Sequence, residues 1–215
     1  MTAEELIESL GADARPVTPL PPPLRRAALL LAAVAVAGAM LVIMGGDVTG
    51  MVERYGGNEA LMILEMAAMA ATAILAVVGA FVLSVPGRSR RWLLAPLPPL
   101  AVWMGASGLG CYGDLLRLGP EAWSVVHGAD CLIFIVGAGV LIGTPLAWRL
   151  SRAHPIDPLP VAVLGGLGSA ALAALLLQFF HPFGLTIVDL AVHFGAVLIV
   201  VAAGTVFRRP ALAPA

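Results

Sequence analysis

Six apolar runs, each about as long as a bilayer is thick, leave this chain few ways to fold. A helix needs about 20 mostly apolar residues to cross a hydrocarbon core of roughly 30 Å. Runs of that order extend from Ala27 to Gly46, Ala60 to Leu83, Leu93 to Cys111, His127 to Trp148, Leu159 to Phe180 and Leu185 to Phe207. In hydrocarbon every backbone polar group must be satisfied within the protein, and the alternating pattern of a membrane barrel is absent. The expected fold is therefore all-α, a polytopic membrane protein with six transmembrane helices. The composition agrees: 60% of residues are hydrophobic and 12% charged, about half the charge of a soluble domain. A water-soluble globule is excluded. The third run is the least regular, with Pro96, Pro98 and Pro99 near its start. Only His181 to Gly184 separate the fifth and sixth, which forces an antiparallel hairpin.

Arginine distribution gives the orientation. All 12 basic residues are arginines, and alternate loops hold Arg15, Arg25, Arg26, Arg88, Arg90, Arg91, Arg149, Arg152, Arg208 and Arg209 on one side against Arg54 and Arg117 on the other. The positive-inside rule places the arginine-rich side, and with it both termini, in the cytoplasm. Trp92 and Trp148 abut the inner arginines and Tyr112 and Trp123 the opposite surface, as interfacial anchors do. Residues 1–23 are acidic and proline-rich where a cleavable signal would be basic. The expected organisation is a cytoplasmic segment over 1–23, a membrane domain over 24–209 and a short cytoplasmic tail over 210–215.

The first segment has its own pattern. Thr2 and Glu5 stand at capping-box spacing, and Ala3, Leu6, Ile7, Leu10 and Ala14 recur on one face of a helix over residues 2–14. Glu4, Glu5, Glu8 and Asp13 occupy the other face. An anionic membrane surface repels such a helix, so its apolar stripe calls for a protein groove with basic rims. A helix this short is marginal alone in water, so it either folds on its partner or stays a solvated tail. Prolines 16, 19, 21, 22 and 23 follow and favour an extended spacer of about 3 Å per residue.

Polar residues in the spans gather toward the outer side. Glu65, Asp130 and Asp189 share one depth, joined by Cys111, His127, Cys131, His181 and His193. His127, Asp130 and Cys131 fall on one helix face, as do Asp189 and His193. A charge in the membrane is a functional hypothesis by default. One reading is a thiol and imidazole site, built from Cys131, His181, Cys111, His127, Asp130 and His193, that binds a soft metal ion transiently or is oxidised. The other is that the cysteines are small buried hydrophobes and the histidines pair with carboxylates. A Cys111–Cys131 disulfide requires Cα atoms within about 7 Å.

With these segments in order, the chain resembles the NrsF family of membrane anti-sigma factors, negative regulators of sigma F. The resemblance runs from Glu5-Leu6-Ile7-Glu8-Ser9-Leu10-Gly11-Ala12-Asp13 and Pro16-Val17 to Arg208-Arg209. It implies that residues 1–23 hold an extracytoplasmic-function sigma factor at the membrane, through Glu4, Glu5, Leu6, Ile7, Glu8, Leu10 and Asp13. The family pattern has a cysteine opening the fourth span, matched by Cys131, and a His-Cys pair between the fifth and sixth. Here that turn is Phe179-Phe180-His181-Pro182-Phe183-Gly184, which keeps the histidine and has no cysteine. A Cys/His site remains open, whereas a Cys131 disulfide across that turn does not. The resemblance implies release of the sigma factor on a periplasmic metal or oxidative signal.

The competing function is a small transporter or haem-binding redox protein. The histidines and the three membrane acids suggest it. The acids, however, stop short of the inner half of the bilayer, and no inverted repeat relates residues 27–111 to 127–207. No nucleotide loop, HExxH or GxSxG is present. The expectation is a regulator and not an enzyme, without resident cofactor or direct contact to nucleic acid.

Overall fold

The computed structural model describes residues 2–12, 19–56, 58–118, 128–180, 191 and 194–203. Among these there is no strand. The helices are α1 (Ala3–Ala12), α2 (Pro23–Gly45), α3 (Val48–Arg54), α4 (Glu59–Leu83), α5 (Leu97–Leu118), α6 (Gly128–Ser151) and α7 (Pro158–Leu177), with a 3-10 turn at Arg90–Leu93 before α5. A further apolar helix, α8, spans Phe194–Ala203. Among the described residues five segments are long and apolar enough to cross a membrane: Pro23–Gly45, Glu59–Leu83, Arg90–Gly113, Leu132–Ser151 and Pro158–Leu177. The sixth expected span is described only over α8 and at residue 191.

Local chemistry explains where the helices depart from the apolar runs. Pro23 opens α2 at a first-turn position, where its missing N–H costs nothing and its fixed φ suits a helix. The helix therefore starts before Ala27 and carries Arg25 and Arg26 on its first turns. Within the third span, Arg90–Gly113, the α-helix itself begins only at Leu97, because residues 94–96 turn before α5 and Pro98 and Pro99 fall in its donor-free first turn. Helix α5 then continues past Cys111 to Leu118.

Sequence periodicity did not signal α3. Asp47 caps it by accepting from the Gly50 N–H at 2.8 Å. Asn58 caps α4 in the same manner, its Oδ1 accepting from the Leu61 N–H at 3.2 Å.

Helix α4 lies at the centre, packed against α7, α5 and α2, while α7 also packs on α6. Small residues make this approach close. A Cβ on Gly168 of α7 would lie 2.7 Å from Val77 Cγ2 and 3.2 Å from the Val77 backbone N of α4. One on Gly79 of α4 would lie 2.9 Å from Leu164 Cδ1 of α7 and 3.2 Å from the Trp92 carbonyl oxygen. One buried cluster joins Ala27, Leu30, Ala76, Val77, Phe81, Leu146 and Leu164, and a second joins Met69, Ala73, Trp103, Ala171 and Ala174. Buried Thr72, Ser84 and Ser169 donate back to carbonyls of their own helices, so their hydroxyls cost little.

Gly168→Ala should lower the melting temperature of the detergent-solubilised chain, at a cost of about 1–3 kcal/mol for overpacking against a neighbouring backbone. Gly105, with open space at its Cβ position, provides the control: Gly105→Ala should not destabilise. Equal melting of both variants would show that the α4–α7 approach is not held this tightly.

Candidate functional site

Polar chemistry concentrates at the two ends of α4. At the end near α3, Glu65 is 2% exposed. The Tyr55 hydroxyl, just beyond α3, donates to its Oε2 at 3.0 Å, and the Ser107 hydroxyl of α5 donates to its Oε1 at 2.5 Å. Both carboxyl oxygens are thus occupied by donors from two different elements. The Asp47 N–H also donates to the Phe179 carbonyl at 2.8 Å, tying the α2–α4 connection to the end of α7. One turn along α4 from Glu65, buried Met69 accepts at Sδ from Gln178 Nε2 at 3.9 Å. Cys111, one turn along α5 from Ser107, is a buried thiol at 2% exposure.

Sequence reasoning placed Glu65 and Cys111 at this end but missed Tyr55, Ser107 and Gln178. Ser107 stands three and four residues from Met104 and Cys111 on a helix, which carries no mark of a carboxylate partner. Tyr55 lies in a connection whose path depends on α3.

The thiol and imidazole site is only partly within the described structure. Asp130 and Cys131 lie in the first turn of α6, with their side chains outside the described set, and His127, His181 and His193 are outside it entirely. Among the described residues, no three His, Cys, Asp or Glu side chains approach closely enough to hold a metal ion.

At the opposite end the groups are basic. Arg26 is buried, its Nη2 donating to the Arg149 carbonyl and its guanidinium lying over the Phe81 ring, 5.0 Å from the centroid. The carbonyl is one of the last in α6, where intrahelical donors run out: the Ala153 N–H turns to Leu150 instead. A cation there also meets the negative end of the helix dipole. Arg152 stacks over Trp148 at 4.2 Å, and Arg90 pairs with Asp157 at 2.7 Å on the exposed surface. The fold thus gathers Arg26, Arg90, Arg149 and Arg152 at one end of the bundle.

The tail residues are placed as follows. Helix α1 carries Glu4, Glu5, Leu6, Ile7, Glu8 and Leu10, and Asp13 lies outside the described residues. The capping box forms: the Thr2 N–H donates to Glu5 Oε2 at 2.8 Å and the Glu5 N–H to Thr2 Oγ1 at 3.2 Å. Leu6 and Ile7 are 41% and 71% exposed.

Ser107→Ala should destabilise the purified chain by about 1–3 kcal/mol, because it leaves a buried carboxyl oxygen without its donor. Tyr55→Phe should cost less, since its bond is only partly buried. Thermal melts of both single variants and the double variant would read this out, and strictly additive losses would mean that the two hydroxyls do not share Glu65.

The family model described as NrsF, negative regulator of sigma F, matches residues 10–213. Most of α1 precedes the matched range. Neither curated proteins nor solved structures give a match to the chain. The family is regulatory and not a class of enzyme, its name implies a sigma factor as partner, and the five long apolar segments among the described residues suggest a membrane protein. With all but the first nine and last two residues covered, the chain belongs to the NrsF family of negative regulators of sigma F.

Proposed function

We propose that this protein is an anti-sigma factor of the bacterial inner membrane that holds an extracytoplasmic-function sigma factor through residues 1–23. The observation that carries this reading is the tail itself. Helix α1 is capped by its own side chains, yet leaves Leu6 and Ile7 exposed beside Glu4, Glu5 and Glu8. An apolar stripe edged with acids fits a groove edged with bases, a complement expected of a protein that binds DNA. Leu6, Ile7 and Leu10 are the anchors in this reading, while the acids, Asp13 included, meet the sigma factor's basic surface.

The positive-inside rule supports the orientation. The arginine-rich end of the bundle is the end from which α2 leads back through Pro23 to α1, which assigns both to the cytoplasm. The Glu65 end then faces the periplasm, together with Cys131, His181, Cys111, His127, Asp130 and His193 as sensing residues for metal or oxidant. A periplasmic stimulus releases the sigma factor only by favouring one packing of the bundle over another, and hundredfold release needs about 2.7 kcal/mol of coupling. Arg26 is well placed to pass on such a change, since it anchors the first turns after the tail to both α4 and α6.

In a pull-down or titration, the full chain and a peptide of residues 1–20 should both bind the sigma factor encoded beside it. Ile7→Glu should weaken binding at least tenfold while leaving the melting temperature unchanged. Failure of the full chain to bind would remove this function. Cys131→Ser should alter the response of a sigma-dependent reporter to metal or oxidant without changing sigma binding, and an unaltered dose response would assign Cys131 to packing.

A further inference from the structure

A groove of about 300 Å³ runs between α6, α7 and α8. Gly139 and Gly166 let α8 pack closely along it, since a Cβ on Gly139 would lie 2.9 Å from Val200 Cγ2 and one on Gly166 2.7 Å from Val201 Cα. Its floor includes Leu146 and Val161, both buried. Three hydroxyls reach the lining, and each is spent inside its own helix. Thr144 donates to the Val140 carbonyl at 2.8 Å, Ser151 to Trp148 at 2.8 Å and Ser169 to Gly166 at 3.0 Å. No hydroxyl proton among these three is left for a solute, the rest of the lining is apolar or glycine and proline, and the chemistry it best accepts is hydrocarbon.

The dimensions and the ends narrow this further. Along α6 the groove extends from Ser151 to Gly139, roughly 18 Å at 1.5 Å per residue. That is close to one leaflet's half of a hydrocarbon core of roughly 30 Å. Val140, Thr144 and Ala147 are exposed along its side, so it opens outward to whatever surrounds the bundle. Its Ser151 and Pro155 end lies at the basic end of the molecule. Arg152 is exposed and stacked on Trp148, His154 is exposed, and the half-buried Arg149 precedes them. The one acid of this loop, Asp157, is already paired with Arg90. His154 takes a left-handed conformation, φ 45°, its N–H donating to the Ser151 carbonyl at 2.9 Å, which holds the loop as a tight turn over the groove's mouth.

We propose that this groove binds an anionic phospholipid of the surrounding bilayer, one acyl chain lying between α6 and α7 and the phosphate resting on Arg152 and His154 of the loop between Ser151 and Pro155. The lining itself is apolar, and the bases stand in the loop that joins its residues Ser151 and Pro155, where a cation near the membrane surface attracts an acidic headgroup. It makes no use of the sigma-binding tail, and it stands whether or not the tail's partner is a sigma factor. In the proposed orientation it draws its lipid from the cytoplasmic leaflet.

The full chain purified in detergent would be offered phosphatidylglycerol or phosphatidylcholine of matched chains, with bound lipid read by native mass spectrometry and by the shift in melting temperature. Wild type should retain phosphatidylglycerol preferentially and melt higher with it. Arg152→Gln should cut that preference roughly fivefold, corresponding to about 1 kcal/mol for one cation near a headgroup, with retention of phosphatidylcholine unchanged. Ala147→Phe, which fills the groove from its exposed side, should reduce retention of both lipids. Should that variant fail to fold, Arg152→Gln alone decides the matter. Equal retention of the two lipids by wild type, or an unchanged preference in Arg152→Gln, would overturn the proposal.

Discussion

Close contact between α4 and α7 is the constraint on which the rest of the bundle depends. In lipid the hydrophobic effect does not drive helices together, since acyl chains are as apolar as leucine side chains. Association must come from tight packing and from polar groups that find each other. Gly168 against Val77 and Gly79 against Leu164 supply the first. With backbones this close, α7 holds α6 on its other flank, while α4 holds α2 and α5. The peripheral helices then expose most of their length, as lipid-facing helices should: α2 leaves Val36, Met40, Ile43 and Met44 largely uncovered.

The polar groups supply the second term, and they sit at opposite ends of the same helix. Glu65 binds α4 to α5 and to the connection after α3, while Phe81, sixteen residues further along, lies under Arg26 of α2. At 1.5 Å per residue these anchor points are about 24 Å apart, most of a bilayer. Under the proposed function, a stimulus acting beside Glu65 and a tail attached beside Arg26 would share one rigid element. In the proposed regulation this matters more than any single sensing residue, because a packed helix shifts as a unit and does not deform gradually.

Much of this was legible in the sequence. The apolar runs, Glu65 as a membrane acid, the Thr2–Glu5 capping box and the arginine asymmetry all depend on local composition or short spacing, and the family resemblance followed from their order. Three features were not legible. Helix α3 is seven residues long, too short for periodicity to register, and depends on one aspartate cap. Arg26 was read as a loop arginine before the first span, whereas Pro23 starts the helix early and turns the residue into a buried clamp. Ser107 carried no sign of its role, since a serine in an apolar helix most often bonds back to its own backbone, as Ser84 and Ser169 do here.

The sequence by itself determined that the chain is helical, that it belongs in a membrane, that its bases lie on alternate connections and that an acidic amphipathic segment precedes the first span. These are properties of windows a few to twenty residues long, fixed by the cost of unsatisfied backbone in hydrocarbon and by the helical repeat. Only the tertiary structure decided which glycines face another helix, which hydroxyl reaches Glu65 across 42 residues of chain, and which carbonyl receives Arg26 across 123. Such pairings depend on how helices of similar composition rotate and stack. Several registers bury equal apolar area, and only the fit of small residues against a facing backbone separates them.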